Sequence, residues 1–282
     1  LYYLAGMSAF DAISHSLSTV SIGGFSTHDE SIGFFNSLSI ELICIVFMLL
    51  SAFSYALHYF AIYKRKPLKY FQDAELRFFV SILLLIFILS IIFCYLLGFD
   101  GASIRQILFQ SVSIVTTTGF VSTDYSSWPT VITFLFLVGA FIGACSGSVG
   151  GGIKSWRVLI MINHAKINIM RLVHPNAVVS LKIGSKAVDD KVAESVWGFF
   201  SIYIISFMLL LLSLLATGMD FESAFSAIGA CLNNLGPGLG SVSETYSSVP
   251  DFGKGVLAFA MILGRLEIFT LLVLFTTVFW DK

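Results

Sequence analysis

Residues 111–120 read SVSIVTTTGF and follow directly on a short apolar stretch, Ile104–Val115. That stretch holds only about a dozen residues, whereas a helix that spans a bilayer needs about 20. Gly119 allows backbone with positive φ, which can point successive carbonyl groups at one axis. A ring of carbonyl oxygens can replace the hydration shell of a cation. A glycine after a helix is most often a simple C-cap, however, so one copy of this pattern is weak evidence for an ion filter.

The pattern occurs three times. With Gly24 placed over Gly119, residues 16–25 (SLSTVSIGGF) share two serines, a valine and the Gly-Phe pair with residues 111–120. A more diverged third copy, ACLNNLGPG at residues 230–238, has Gly236 at the same place. The three glycines are about a hundred residues apart, and repeats of that size predict similar units arranged around an axis. Each unit has room for one helix, one re-entrant segment and one helix.

The composition is that of a polytopic membrane protein. Of 282 residues, 57% are hydrophobic and 12% are charged, and the mean hydropathy is +0.90. Soluble domains carry roughly 25% charged residues. The net charge of −1 and the absence of a basic patch exclude a nucleic-acid-binding protein. The cysteines lie far apart inside apolar stretches, so we expect buried thiols rather than disulfides or a metal site: Cys44, Cys94, Cys145 and Cys231.

Two classes of apolar segment alternate along the chain. Five are long enough to cross a bilayer: residues 37–63, 78–97, 131–170 with an interruption, 196–216 and 256–280. Three are too short and predict re-entrant helices: residues 7–18, 104–115 and 221–232. Non-helical backbone at membrane depth is tolerated only where protein buries it or water reaches it. The turns after the short helices therefore predict an aqueous cavity.

The charges predict the orientation. All but three of the 16 lysines and arginines lie in residues 64–77, in residues 154–191 or at Lys282, which places these segments and the C-terminus in the cytoplasm. Acidic residues dominate the other side and flank the re-entrant segments, as in mouths that concentrate cations: Asp11, Asp29, Glu30, Asp100, Asp124, Asp220, Glu222, Glu244 and Asp251.

A glycine-rich segment interrupts the third long stretch. Residues 143–154 read GACSGSVGGGIK, and glycine weakens a helix by about 1 kcal/mol relative to alanine. A phosphate loop is excluded because Ile153 separates Gly152 from Lys154 and no strand precedes them. A nucleophile at Cys145 or Ser146 lacks a positioned His/Asp pair. Close helix packing through small residues stays open as an alternative.

Arg265 lies within the last long stretch, where a charge costs at least about 2.5 kcal/mol unless it is paired or hydrated. Glu267 is two residues away and faces another side of a helix. We therefore expect Arg265 to face the cavity, where it touches the glycine-rich segment or raises a barrier to cations. A structural ion pair with a distant residue is the alternative. His15 and His28 are interpreted as polar-network and surface residues, not metal ligands.

The chain resembles the TrkH/TrkG branch of the Trk/Ktr/HKT superfamily of potassium uptake proteins. The resemblance runs essentially end to end and is most specific in residues 10–29, 116–120, 143–154, 172–177 (LVHPNA), 232–240 (LNNLGPGLG) and 264–275 (GRLEIFTLLVLF). It implies an all-α polytopic membrane protein, with four helix–pore helix–helix repeats around a pseudo-four-fold ion pore. On that scheme an N-terminal part is missing. The implied units are residues 1–63 (the end of the second repeat), 78–172 (the third repeat) and 195–282 (the fourth repeat). Cytoplasmic loops 64–77 and 173–194 join them.

The resemblance also implies the roles of particular residues. The backbone carbonyls of nine residues would form three quarters of a potassium filter: Ile22, Gly23, Gly24, Thr117, Thr118, Gly119, Asn234, Leu235 and Gly236. The glycine-rich loop would obstruct the pore and gate it, through Gly147, Gly150, Gly151, Gly152 and Arg265. The third of these filter stretches has two asparagines before Pro237 instead of threonines, so less strict selectivity is expected. A sodium-coupled or broadly monovalent-cation-selective transporter is the alternative.

The implied partners lie outside the chain. A TrkA-type cytoplasmic ring that binds a nucleotide (ATP, ADP or NAD) would dock on loops 64–77 and 154–191, and two copies of the chain would form a homodimer among inner-membrane lipids. Potassium would be the substrate, by symport or passive conduction, and the chain itself would hold no cofactor. An intramembrane Ser or Cys hydrolase is a further alternative, but His58, His164 and His174 lie at cytoplasmic ends.

Overall fold

The computed structural model describes residues 1–175, 179–184, 186–243, 245–274 and 276–280. Several residues named above lie outside these ranges: Asn176, Ala177, Glu244, Phe275 and Lys282. The helices are α1 (Ala9–Val20), α2 (Leu38–Ala52), α3 (Tyr55–Ile62), α4 (Lys69–Gln72), α5 (Ala74–Leu96), α6 (Ile104–Val115), α7 (Thr130–Ile142), α8 (Ser155–Val173), α9 (Asp190–Leu215), α10 (Phe221–Leu232), α11 (Asp251–Arg265), α12 (Ile268–Val273) and α13 (Thr277–Trp280). Strands β1 (Lys182–Ile183) and β2 (Lys186–Ala187) pair antiparallel between α8 and α9.

Within the described residues, two helices are long and apolar enough to cross a membrane without a break. They are α5, with 23 residues, and α9, with 26, and they correspond to the predicted spans at 78–97 and 196–216. Each begins at an aspartate whose side chain caps it: Asp73 accepts from the N–H of Leu76, and Asp189 from that of Lys191.

The three segments predicted to be re-entrant are helices of 12 residues each, about 18 Å long, which is about half the thickness of a membrane. The prediction matches both ends of α6 and α10, while α1 begins and ends two residues after its predicted bounds. Each begins at a capping side chain that accepts from the N–H three residues on: Ser8, Ser103 and Asp220.

The prediction of continuous spans at 37–63 and 256–280 is wrong. The first breaks at Phe53 and Ser54, and α2 and α3 meet at 99°. The glycine-rich segment imposes this break, because the N–H of Tyr55 donates to the Gly147 carbonyl and the Ala52 carbonyl accepts from the N–H of Cys145, at 3.1 Å each. The last stretch breaks between α11 and α12 at Glu267, whose φ is +56°. With the predicted break between α7 and α8, a broken helix follows each of the three short helices.

The buried apolar side chains of the described residues form three clusters. Large side chains from α5, α6 and α7 fill the first cluster, among them the fully buried Phe79, Phe109 and Phe136. A second cluster joins α9, α10 and α11, and a smaller one packs α8 against the β-hairpin and the start of α9. A bidentate ion pair ties α6 to α2, with Arg105 donating to the two Glu41 oxygens at 2.7 and 2.8 Å. The four cysteines are buried and free, as predicted.

Candidate functional site: three pore loops and the loop against them

The same backbone motif closes α1, α6 and α10. The N–H of the residue two after the C-cap donates to the carbonyl five residues earlier at 2.8 Å in all three loops: Gly23 to Ser18, Thr118 to Ser113, and Leu235 to Ala230. This is the Schellman arrangement, which requires left-handed backbone at the residue before the donor. That residue has φ of +51° at Ile22, +62° at Thr117 and +53° at Asn234. The sequence repeat is therefore a repeat of backbone conformation.

Two of these left-handed residues are strained. Ile22 and Thr117 are β-branched, and left-handed backbone costs a residue with a Cβ atom about 1–2 kcal/mol. Such strain persists only where the surroundings impose the conformation, and it clusters at functional sites. Both residues are buried, and the Thr117 hydroxyl accepts a hydrogen bond from the N–H of Gly151 at 2.6 Å. The loops after α1 and α6 are thus held in a shape that their residue types disfavour. Asn234 adopts the same backbone at lower cost.

The glycine two residues later brings neighbouring loops into contact. Gly24, Gly119 and Gly236 all have positive φ, at +69°, +84° and +102°. A Cβ atom on Gly24 would overlap the Thr118 carbonyl oxygen, and one on Gly119 would overlap the Leu235 carbonyl oxygen. Around Gly236 the position of a Cβ atom has nothing within 4 Å. We number the loops after α1, α6 and α10 as the second, third and fourth loops, in the repeat order that the resemblance implies. The second loop packs on the third and the third on the fourth, which leaves one open side between the fourth and the second.

The open side of the circle is a cavity of about 610 Å³. Ile22 and Gly23 line it from one direction, and Asn234, Leu235 and Gly236 line it from the other. Tyr246, Arg265 and residues of α11 complete its wall. The nine residues predicted to form the filter thus converge on one region, and the gap separates the second loop from the fourth.

The glycine-rich segment lies against the inner ends of the third and fourth loops. Besides the bond from Gly151 to Thr117, a Cβ atom on Gly151 would overlap the Asn233 carbonyl oxygen, and one on Gly150 would lie 2.9 Å from that of Thr116. These two glycines allow the close approach. Gly147 and Gly152 make different contacts. The Gly147 carbonyl accepts from the N–H of Tyr55 at the α2–α3 break, and Gly152 packs on Gly143 where the segment starts.

Charged side chains hold this segment in place. Arg265 donates to the Val149 carbonyl at 3.2 Å, and the Lys154 ammonium donates to the carbonyls of Gly150 and Ser148. The Glu75 carboxylate, buried at the start of α5, accepts from the N–H of Ser146. The contact between Arg265 and the segment is the one that its position in the sequence predicts. The contacts of Lys154 and Glu75 with the segment were not predicted from the sequence. An acidic residue in the first turn of an apolar span was a signal that pointed to Glu75.

A second cavity, of about 400 Å³, lies on the other side of the segment. Lys154, Arg157 and Arg265 line it together with Glu267. Glu267, whose role the sequence leaves open, lies at the break between α11 and α12 and pairs with Arg157 of α8 at 2.6 Å. Three cationic side chains and one carboxylate thus line this cavity, and unpaired cationic groups raise the electrostatic energy of any cation near them.

The two histidines near the pore belong to a polar network. His15 is fully buried, with one ring nitrogen 2.8 Å from the Asp11 carbonyl oxygen and the other 2.9 Å from the Ser26 hydroxyl. His28 is partly exposed, stacks on Phe34 at 3.7 Å and lies 3.4 Å from the Asp11 carboxylate.

Comparison with known proteins agrees with this geometry. The family model TrkH, described as a cation transport protein, matches residues 2–281. The chain is 50% identical to the potassium uptake protein TrkH of Halomonas elongata, and 45% identical to TrkH and 42% identical to TrkG of Escherichia coli K12. Each match covers 99–100% of this chain but only 58–59% of the relative. The chain thus spans about three fifths of the length of these relatives.

The crystal structure of the potassium transporter TrkH from Vibrio parahaemolyticus superposes with a TM-score of 0.94 at 47% identity, over 99% of this chain and 61% of that one. The fold is accordingly that of an all-α polytopic membrane protein. The matches are to transporters, and the hydrolase alternative is dropped. The chain belongs to the TrkH family of cation transport proteins.

Proposed function

We propose that this chain supplies three quarters of a potassium pore in the inner membrane of a bacterium, as part of a Trk-type uptake system. One observation carries the proposal: Gly24 and Gly119 each pack on the backbone of the next loop, so three loops of the same conformation form an ordered arc with one open side. A fourth loop of the same kind, from outside these residues, would close the ring.

Selection would come from backbone carbonyls of the nine loop residues, from Ile22 through Gly24, Thr117 through Gly119 and Asn234 through Gly236. Carbonyl oxygens substitute for the hydration shell of potassium, and the strain at Ile22 and Thr117 is consistent with a backbone held for function rather than for stability. Loops that differ in sequence form a less regular ring. A sodium-coupled or broadly cation-selective transporter is therefore the second candidate, favoured by the asparagines of the fourth loop.

The glycine-rich segment would be the gate. It lies against the third and fourth loops at Gly150 and Gly151, and Arg265 holds it from α11. Single hydrogen bonds join Gly151 to Thr117 and Val149 to Arg265, and neither is a bond within a helix, so this part of the segment can be released without unfolding one. Loss of the bonds at Thr117 and Arg265 would open a path between the two cavities.

A cytoplasmic regulatory ring that carries the nucleotide would act on this gate. The loop at residues 64–73 is basic and exposed, and it joins α3 to α5. Both of these helices hold the glycine-rich segment, α3 through Tyr55 and α5 through Glu75. A partner that pulls on the loop would therefore reach the gate from two sides. Apolar side chains exposed on α5 and α9 suit lipid or a second copy of the chain in a homodimer.

Rubidium-86 uptake into proteoliposomes tests the proposal, with the full-length protein and with potassium or sodium as competitor. We expect potassium to compete and sodium to compete weakly, and Gly119→Ser to abolish uptake. Gly218→Ser is the matched control, because Gly218 has a similar φ of +87° but lies outside the pore with open space around it. Equal competition by both ions would select the broadly selective alternative. Uptake that neither ion reduces would contradict a monovalent-cation pore.

A further inference from the structure

Among the glycines Gly24, Gly119 and Gly236, the last is the one whose carbonyl group has a side-chain partner in the described residues. The Tyr246 hydroxyl donates to it at 2.7 Å. Among the described residues, no side chain donates to the carbonyl oxygen of Gly24 or of Gly119, the equivalent glycines of the other two loops. Tyr246 belongs to the segment between α10 and α11, is half-buried, and lines the cavity on the open side of the circle. One carbonyl of the proposed filter is thus fixed by a side chain ten residues further along the same connection.

The rest of the fourth loop is tied to its surroundings in the same way. The Asn234 amide donates to the Met261 carbonyl in α11 at 3.0 Å, and the Asn233 amide oxygen accepts from the Tyr203 hydroxyl in α9 at 2.8 Å. In the third loop the Thr116 and Thr118 hydroxyls bond to each other at 2.7 Å, and the Thr117 hydroxyl accepts from the glycine-rich segment. Side chains thus tie both loops to other parts of the fold, and among the described residues the tie from Tyr246 is the one that reaches the carbonyl of a loop glycine.

We propose that Tyr246 is a positioning residue for ion selectivity, which holds the Gly236 carbonyl at a distance that suits potassium better than sodium. The inference rests on the proposed function of the loops as a filter. A carbonyl oxygen has two acceptor sites, so the tyrosine hydroxyl leaves one for an ion. Gly236 has φ of +102° and no side chain of its own, so the Tyr246 hydroxyl is the side-chain group that fixes the orientation of its carbonyl among the described residues. A free carbonyl could close in on the smaller ion, and a tethered one cannot.

Tyr246→Phe in the full-length protein tests this role, because it removes only the hydroxyl. Rubidium-86 uptake into proteoliposomes is measured against increasing potassium and against increasing sodium, and the ratio of the two half-inhibitory concentrations gives the selectivity. We expect the potassium preference to fall about three-fold to ten-fold, as the loss of one hydrogen bond implies, with uptake itself retained.

Tyr125→Phe is the matched control. Tyr125 is buried beside Phe136 and lies near Leu235 and Pro237 of the fourth loop, but its hydroxyl donates to no acceptor among the described residues. Its variant should keep the wild-type ratio. If Tyr246→Phe lowers uptake too far to measure competition, the stabilisation of the purified protein by potassium and by sodium in thermal unfolding gives the same comparison.

The outcomes separate the two proposals. A wild-type protein that prefers potassium, with an unchanged ratio in Tyr246→Phe, contradicts the role of Tyr246 and leaves the proposed pore intact. An equal fall in Tyr125→Phe shows general loosening and also contradicts it. A wild-type protein without any potassium preference contradicts the proposed function itself.

Discussion

The third and fourth pore loops have the same backbone and different supports. Both close a helix of 12 residues with the same hydrogen bonds, and both place a glycine with positive φ two residues after a left-handed residue. In the third loop the Thr117 hydroxyl accepts a bond from the glycine-rich segment. In the fourth, Asn233 and Asn234 bind α9 and α11. A few backbone bonds are enough to specify the loop, so its side chains are free to connect it to different neighbours.

The largest effect should come from glycines that lie between loops. Gly119→Ala introduces a Cβ atom that overlaps the Leu235 carbonyl, on backbone where φ is +84°. We expect rubidium uptake by the full-length protein to fall at least about a hundred-fold, since more than 2.7 kcal/mol of overlap and strain is involved.

Gly236→Ala tests whether the loops form a closed ring in the full-length protein. In this chain it meets open space, but in a closed ring a fourth neighbour would pack there as Leu235 packs on Gly119. We expect uptake by the full-length Gly236→Ala protein to be as poor as that of Gly119→Ala. A mild defect at Gly236 would mean that the ring stays open at this side.

Thr117→Val tests the link between the third loop and the gate. Valine keeps the β-branch at φ of +62° and removes the acceptor for the Gly151 N–H. Loss of one such bond is worth about 1 kcal/mol. Basal uptake without a regulatory partner should therefore rise about five-fold. Thr118→Val is the control, because the Thr118 hydroxyl bonds to Thr116 and not to the glycine-rich segment. A similar rise in both variants would assign the effect to the loop in general.

Tyr203→Phe tests the external support of the fourth loop. It leaves the amide oxygen of the fully buried Asn233 without its donor, which costs about 1–3 kcal/mol. The apparent melting temperature of the purified protein should fall by a few degrees. Tyr125→Phe, which removes a buried hydroxyl from the third unit, should leave it unchanged or raise it. Equal destabilisation of the two variants would contradict the role of Tyr203 as an external support of the fourth loop.

The smallest effect concerns how the two pore helices begin. Asp220 caps α10, and the N–H of Ser223 lowers the pKa of its carboxyl group, while Ser103 caps α6 without a titratable group. Asp220→Ala and Ser103→Ala should each cost about 1 kcal/mol near neutral pH. Because the folded-state pKa of Asp220 is lowered, its contribution is complete above the unfolded pKa of about 3.9 and disappears as the pH falls through the folded value.

Melting temperatures between neutral pH and the acidic limit of the protein's stability check this. The difference between wild type and Asp220→Ala should shrink below a pH of about 4. The difference for Ser103→Ala should stay constant. A constant difference for both would show that the cap at Asp220 does not depend on its charge.

Much of the pore could be predicted from local sequence. The short apolar lengths specify α6 and α10 to the residue, and the glycines mark the turns after them. The breaks at Phe53 and Glu267 were not predicted, because apolar residues continue on both sides of each. The first is imposed by backbone bonds from Cys145 and Gly147, and at the second Glu267 pairs with Arg157, far away in the chain.

The sequence by itself determined the class of protein, the three short helices and the glycine-containing loops that follow them. These features follow from the length of apolar stretches and from the backbone conformations that glycine permits, which are local properties. Only the tertiary structure decided that Gly24 packs on Thr118, that Glu75 and Lys154 hold the glycine-rich segment, and that Tyr246 reaches Gly236. Hydrogen bonds between elements depend on distances across the fold, and those distances exist only once the helices have packed.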